Sequence, residues 1–152
     1  MPPTLIHESH WSKLLLATAL LSAYCLAGCL MEHLTLFFTW SLVSSDKDLK
    51  IIQQFSGMRT LYIYVLPTIA LTLVTATFMY ETRGHFWWQW WCMGCLVVSW
   101  VSGAVVQGPL QIRVRERQDR VALARLRGSS WVRTGAMVGN AVVVCYVVLA
   151  QV

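Results

Sequence analysis

Glu32 and His33 stand side by side between two apolar runs, Leu14–Met31 and Leu34–Val43. An ionisable residue inside such a run is expensive, which makes the pair a candidate for function. On a helix, Cys25, Cys29 and then Glu32 or His33 follow at steps of four and three or four, so two thiols, a carboxylate and an imidazole share one stripe facing the interior. A Glu-His pair in low dielectric has the makings of a general acid and base acting on a lipophilic substrate. The same residues also suit a buried polar knot that pairs with Arg59 or Arg133 and sets helix register. Both readings stand on the residue types alone.

Further polar groups fall at a similar depth. Arg59 and Arg133 open the second and fourth apolar segments, Gln107 closes the third, and Asn140 lies some two to three turns into the fourth. With Glu32 and His33 they can line a pocket in which Arg59 and Arg133 are catalytic cations and Gln107 and Asn140 contact substrate. Pro67 removes one backbone donor from the second segment, and the freed carbonyl needs a neighbour or water. That makes Thr68 a further candidate for substrate contact, with a tolerated kink as the plainer alternative.

Cys92-Met93-Gly94-Cys95 has the C-x-x-C spacing of thiol-disulfide exchange sites. Cys92 lies about 9 Å into its helix at ~1.5 Å per residue, and Cys95 lies deeper. All five cysteines fall within apolar segments, so small buried residues are favoured and a membrane thiol oxidoreductase is the alternative. His7 and His10 have a usable ligand spacing but no second ligand pair nearby, and no metal site is expected. No Gly-rich phosphate loop and no Ser elbow occurs.

The elements that position these residues follow from composition. Of 152 residues, 57% are hydrophobic and 12% charged, against about 25% charged in a soluble domain. The length is enough for one domain. Residues 14–43, 61–80, 86–106 and 131–152 predict four membrane spans; the eighteen residues Leu14–Met31 alone rise ~27 Å towards a ~30 Å hydrocarbon core. The expectation is an all-α integral membrane four-helix bundle forming one domain over residues 1–152. The first span is too long for a signal peptide and ends in Glu-His, so Met1–Lys13 reads as a short exposed tail before a retained helix.

Charge sets the orientation. Lys47, Lys50, Arg59, Arg113, Arg115, Arg117, Arg120, Arg125, Arg127 and Arg133 fall on one side, with only Lys13 and Arg83 on the other. The first group predicts the cytoplasmic side and leaves both termini non-cytoplasmic. Trp11, Trp40, Trp131 and the run Phe86-Trp87-Trp88-Gln89-Trp90-Trp91 suit interfacial anchors, or in the last case a stacking platform for a ligand. Gly135 with Gly139 and Ser99 with Gly103 let helices approach closely, within the bundle or against another copy. The connector 107–130 reads as a basic cytoplasmic loop whose Leu110, Val114, Val121 and Leu126 allow an amphipathic helix on anionic lipid. Positive-inside topology already accounts for its arginines, so nucleic acid is not an expected partner. Membrane lipids and a lipophilic small molecule are, and assembly with further copies or in a larger membrane complex is open.

The order of features resembles the anthrone-oxygenase-like family of small four-helix membrane proteins. The resemblance runs from about Leu14 onward and rests on Phe37-Phe38 near the end of the first helix, Gln53-Gln54-Phe55 and Met58-Arg59-Thr60-Leu61-Tyr62 up to Pro67. Pro109-Leu110 after the third helix and Trp131-Val132-Arg133 at the last complete it. The resemblance implies a membrane monooxygenase that oxidises a lipophilic aromatic polyketide of secondary metabolism with dioxygen and no tightly bound cofactor. Gly108-Pro109-Leu110 stands where the fungal members have Pro-Phe-Thr, and the Glu32-His33 pair departs from the family pattern. In such a reaction His33 or Glu32 would form an electron-rich anion and Arg59 or Arg133 would stabilise the enolate. The competing reading is a non-catalytic subunit, assembly factor or scaffold.

Overall fold

The seam of the bundle is written in a repeat of seven. In the computed structural model, which describes residues 3–43, 51, 60–117 and 119–150, the buried positions of the first helix are Leu15, Thr18, Ser22, Cys25, Cys29 and Glu32. Those of the second are Tyr64, Thr68, Leu71, Thr75, Phe78 and Thr82, and those of the last include Leu123, Leu126, Ser130, Arg133, Met137, Asn140, Val144 and Val147. Steps alternating three and four mean one inward side chain every 3.5 residues, the spacing that keeps a seam against its neighbours along a whole bundle.

Every regular element among the described residues is helical. Helix α1 (Pro3–Met31) passes through a π-helical segment, Glu32–Phe37, into the short α2 (Phe38–Leu42). A second π segment, Leu61–Val65, leads into α3 (Leu66–Glu81). Helix α4 (Trp87–Val101) runs through a third, Ser102–Gln107, into α5 (Gly108–Arg117), and α6 spans Arg120–Ala150. Four stretches are long and apolar enough to cross a membrane: His10–Leu34, Leu61–Glu81, Trp87–Val114 and Arg120–Ala150. Polar side chains fill much of the seam, whereas Leu16, Leu20, Leu73, Val105, Val142 and Leu149 are exposed. That inversion suits a lipid solvent, where outward apolar residues carry no penalty and inward polar ones find partners.

The ends of the bundle differ. At one end Trp11 meets Phe78 and Phe86 edge-on at centroid distances of 5.9 and 5.8 Å, Phe78 meets Trp88 at 5.3 Å, and His10 Nε2 lies 3.1 Å from Glu81 Oε1. Trp87, Trp90 and Trp91 point outward there. At the other end Arg113, Arg120, Arg125 and Arg127 are exposed.

The structure corrects the expectation of a loop over residues 107–130. Residues 108–117 continue the third span as α5, and α6 begins at Arg120 rather than at residue 131. Asp119 supplies the reason: its Oδ1 accepts from the backbone N–H groups of Val121 and Ala122 at 2.9 and 3.0 Å, capping a new helix. The two helices pack as a hairpin, burying Val114, Ala122, Leu123 and Leu126 with Trp40. Leu110 packs against that cluster while Val121 is exposed. The tail expected before the first span is likewise helical from Pro3.

Candidate functional site

At the Arg-rich end the first helix turns π-helical at the residue where its apolar run stops. The segment Glu32–Phe37 begins with Glu32 and His33, both buried. Glu32 Oε2 accepts from Arg133 Nη2 of α6 in an ion pair whose side chains are each 3% exposed. Its other oxygen accepts from the Thr60 hydroxyl at 3.1 Å. The guanidinium lies 4.1 Å above the centre of the Tyr64 ring, and the Tyr64 hydroxyl meets Ser99 Oγ. One residue from each of the four spans thus joins a single network.

His33 is held separately. Its Nδ1 meets Ser130 Oγ, and Ser130 sends its hydroxyl proton to the Arg127 carbonyl at 2.8 Å. In the tautomer that matches this hydroxyl direction, the imidazole donates from Nδ1 and carries its lone pair on Nε2. No hydrogen-bond partner of Nε2 occurs among the described residues. The ring rests on Trp131 at 4.0 Å between centroids, tilted by 53°.

Gln107 arrives inside by a change of helical pitch. Counting by sevens from Ser99 puts Val106 on the seam, yet Val106 is 41% exposed and Gln107 is 1% exposed. The π segment Ser102–Gln107 adds about one residue to its turn and so exchanges the two. Neither the oxygen nor the nitrogen of its amide has a partner among the described residues. Cys95 lies beside Gly139 and Val114 packs with Leu123 and Leu126. Interpolating between these contacts brings Gln107 level with the turn of Ser130.

The remaining expected residues fall elsewhere. Asn140 lies about two turns beyond Arg133 on α6 and donates to Ser22 Oγ at 2.9 Å, its Oδ1 unpartnered among the described residues. Thr68 donates to the Tyr64 carbonyl at 2.7 Å, with Cys25 Sγ at 3.9 Å. Pro67 cannot donate to the Ile63 carbonyl, and that oxygen faces Gly28, where a Cβ would stand 2.8 Å from it. That carbonyl thus marks a close helix contact. Arg59 lies outside the described residues. Cys92 is buried among Leu15, Phe78, Trp88 and Val144, whereas Cys95 lines an outward groove, so the C-x-x-C pair is split between two surroundings. All five cysteines are free thiols. Among the described residues no three His, Cys, Asp or Glu gather as a metal site would need.

Sequence reasoning missed Thr60, Tyr64, Ser99 and Ser130. Three of them carried a signal: Tyr64 stands four residues before Thr68, Ser130 three before Arg133, and Ser99 three after Leu96, all on the inward repeat. Together these contacts define an all-α bundle of membrane-spanning character with a polar centre at its Arg-rich end. No protein-family model, no curated protein and no solved structure matches the chain.

Proposed function

We propose that this is a multi-pass membrane protein with its Arg-rich end in the cytoplasm and both termini opposite, acting as an enzyme on a lipophilic substrate near His33. Three π-helical segments carry this reading, Glu32–Phe37, Leu61–Val65 and Ser102–Gln107, drawn from three spans and gathered at the level of the Arg133 ion pair. π turns make up well under 1% of residues in ordinary proteins and concentrate at functional sites. Here the third brings Gln107 inward, and the other two hold His33 and Tyr64.

The arrangement divides the labour among the candidates. Glu32 is engaged by Arg133 and Thr60, which suits a fixed dipole better than a proton acceptor. His33, with its Nε2 lone pair unengaged, is the base. In the oxygenation that the family resemblance implies, Nε2 takes a proton from an aromatic methylene beside an enolisable ketone. The resulting anion reduces dioxygen to a bound hydroperoxide, and loss of water leaves a second ketone, so that CH2 and O2 give C=O and H2O. Gln107 and the Arg133 side supply polar contacts to the anion.

Oxygen uptake by the protein in nanodiscs, with a lipophilic aromatic ketone as substrate, tests this. His33→Gln is expected to lower the rate about 10²–10⁴-fold, the usual contribution of a general base, with helicity unchanged. A folded His33→Gln protein that turns over at the wild-type rate overturns it. For orientation, a C-terminal reporter active in the cytoplasm does the same. One observation favours a second reading, a non-catalytic subunit or scaffold: the Glu32–Arg133 pair is closed on itself, as expected of groups that only fix helix register.

A further inference from the structure

The outer face of α6 near its start carries a trough of about 490 Å³ lined by Arg120, Leu123, Ala124, Arg127, Gly128 and Trp131. Arg120, Ala124, Arg127 and Trp131 follow at steps of four, three and four, so they form one stripe along the helix. Ala124 and Gly128 keep its middle shallow. The two guanidiniums start ~10 Å apart on the axis and Trp131 lies ~6 Å beyond Arg127, at ~1.5 Å per residue. Arg120 donates to the Val43 carbonyl at 2.6 Å, which fixes its side chain at this end of the trough.

We infer that this trough binds one anionic phospholipid, its phosphate between Arg120 and Arg127 and its acyl chains running past Trp131 towards the apolar part of α6. Three observations support that occupant. The lining combines two cations with an aromatic ring of the kind that sits at the headgroup level of a bilayer. Arg125, exposed on the same helix between Arg120 and Arg127, adds to the positive field. The order of groups along the stripe, charge first and apolar surface after, matches a lipid from headgroup to tail. A free phosphate would use the arginines and leave the apolar part empty. Because Trp131 packs on the His33 ring, an occupied trough also presses on the polar centre from outside. The lipid site does not depend on the reaction proposed above.

The test is lipid retention by the full-length protein released from nanodiscs of equal phosphatidylglycerol and phosphatidylcholine, read by native mass spectrometry. Each basic side chain near an anionic surface favours binding roughly fivefold, so two give a preference of about 30-fold for one phosphatidylglycerol. Arg120→Gln with Arg127→Gln is expected to abolish that preference, and Arg113→Gln to leave it. Gly128→Leu keeps both charges but fills the trough, and is also expected to release the lipid. Equal retention of the two lipids by wild type, or an unchanged preference in either the double variant or Gly128→Leu, overturns the proposal.

Discussion

Removing one partner of the Glu32–Arg133 pair is unlike removing both. Glu32→Gln leaves a guanidinium that is 3% exposed facing a neutral amide. Arginine cannot shed its proton, so the stranded cation keeps the Cys29 thiol and the Tyr64 ring at 4.1 Å, the latter a contact of about 2 kcal/mol when desolvated, but no anion. The expected loss is about 3–5 kcal/mol of stability. Arg133→Met strands a carboxyl instead, which retains the Thr60 hydroxyl and can neutralise itself by taking up a proton, so the loss is nearer ~2 kcal/mol. In the double variant neither charge remains, and stability is expected within about 1–2 kcal/mol of wild type. The cycle then closes with a coupling of about 3 kcal/mol or more. Unfolding of the reconstituted protein in mixed micelles, followed by helicity across a denaturing-detergent titration, measures all four corners. Additive losses, with the double variant at the sum of the single ones, would refute a direct pair at this site.

Other perturbations probe separate contacts. Gly28→Ala is expected to destabilise the bundle by about 1–3 kcal/mol, because its Cβ would stand 2.8 Å from the Ile63 carbonyl, whereas Gly94→Ala, with nothing within 4 Å, is expected to be neutral in the same titration. Asp119→Ala removes the cap of α6 and is expected to cost about 0.5–2 kcal/mol, with faster amide exchange confined to the start of α6; uniform protection there would count against the capping role. Deleting Ala104 takes the extra residue out of the third π segment while keeping Gln107 inward. Helicity and unfolding midpoint are expected to hold and oxygen uptake to fall, and a fall in stability instead would show the π turn to be structural.

Much of the fold is legible in the residue order because a membrane bundle obeys few rules. Apolar length sets the spans, and the inward stripe of Cys25, Cys29, Glu32 and His33 follows from helical spacing alone; all four are buried. Glu32 and Arg133 are joined as the knot reading expected. Gln107 was singled out only because it closes an apolar segment. That it faces inward depends on a π turn, which has no residue signature of the kind that proline or glycine gives a kink. The boundaries of α5 and α6 were misread for a different reason. Arginines on a helix that continues an apolar segment look the same in sequence as arginines in a loop, and only the Asp119 cap and the apolar residues beneath, Val114 and Leu126, tell them apart. The distance of Asn140 from Arg133, seven residues or ~10 Å along one helix, is legible in the sequence, whereas its partner Ser22 depends on how α6 packs against α1.

Helix α6 has 31 residues without a break, or roughly 46 Å at ~1.5 Å per residue. Besides Arg133 it is held at Ser130 by His33, at Asn140 by Ser22 and by buried side chains from Leu123 to Val147. A rod fixed at several points along its length answers a push by shifting as one body and not by swinging about any single contact. A displacement of the tip near Arg120 is therefore carried to the Ser130 bond with His33, ten residues or ~15 Å along the axis.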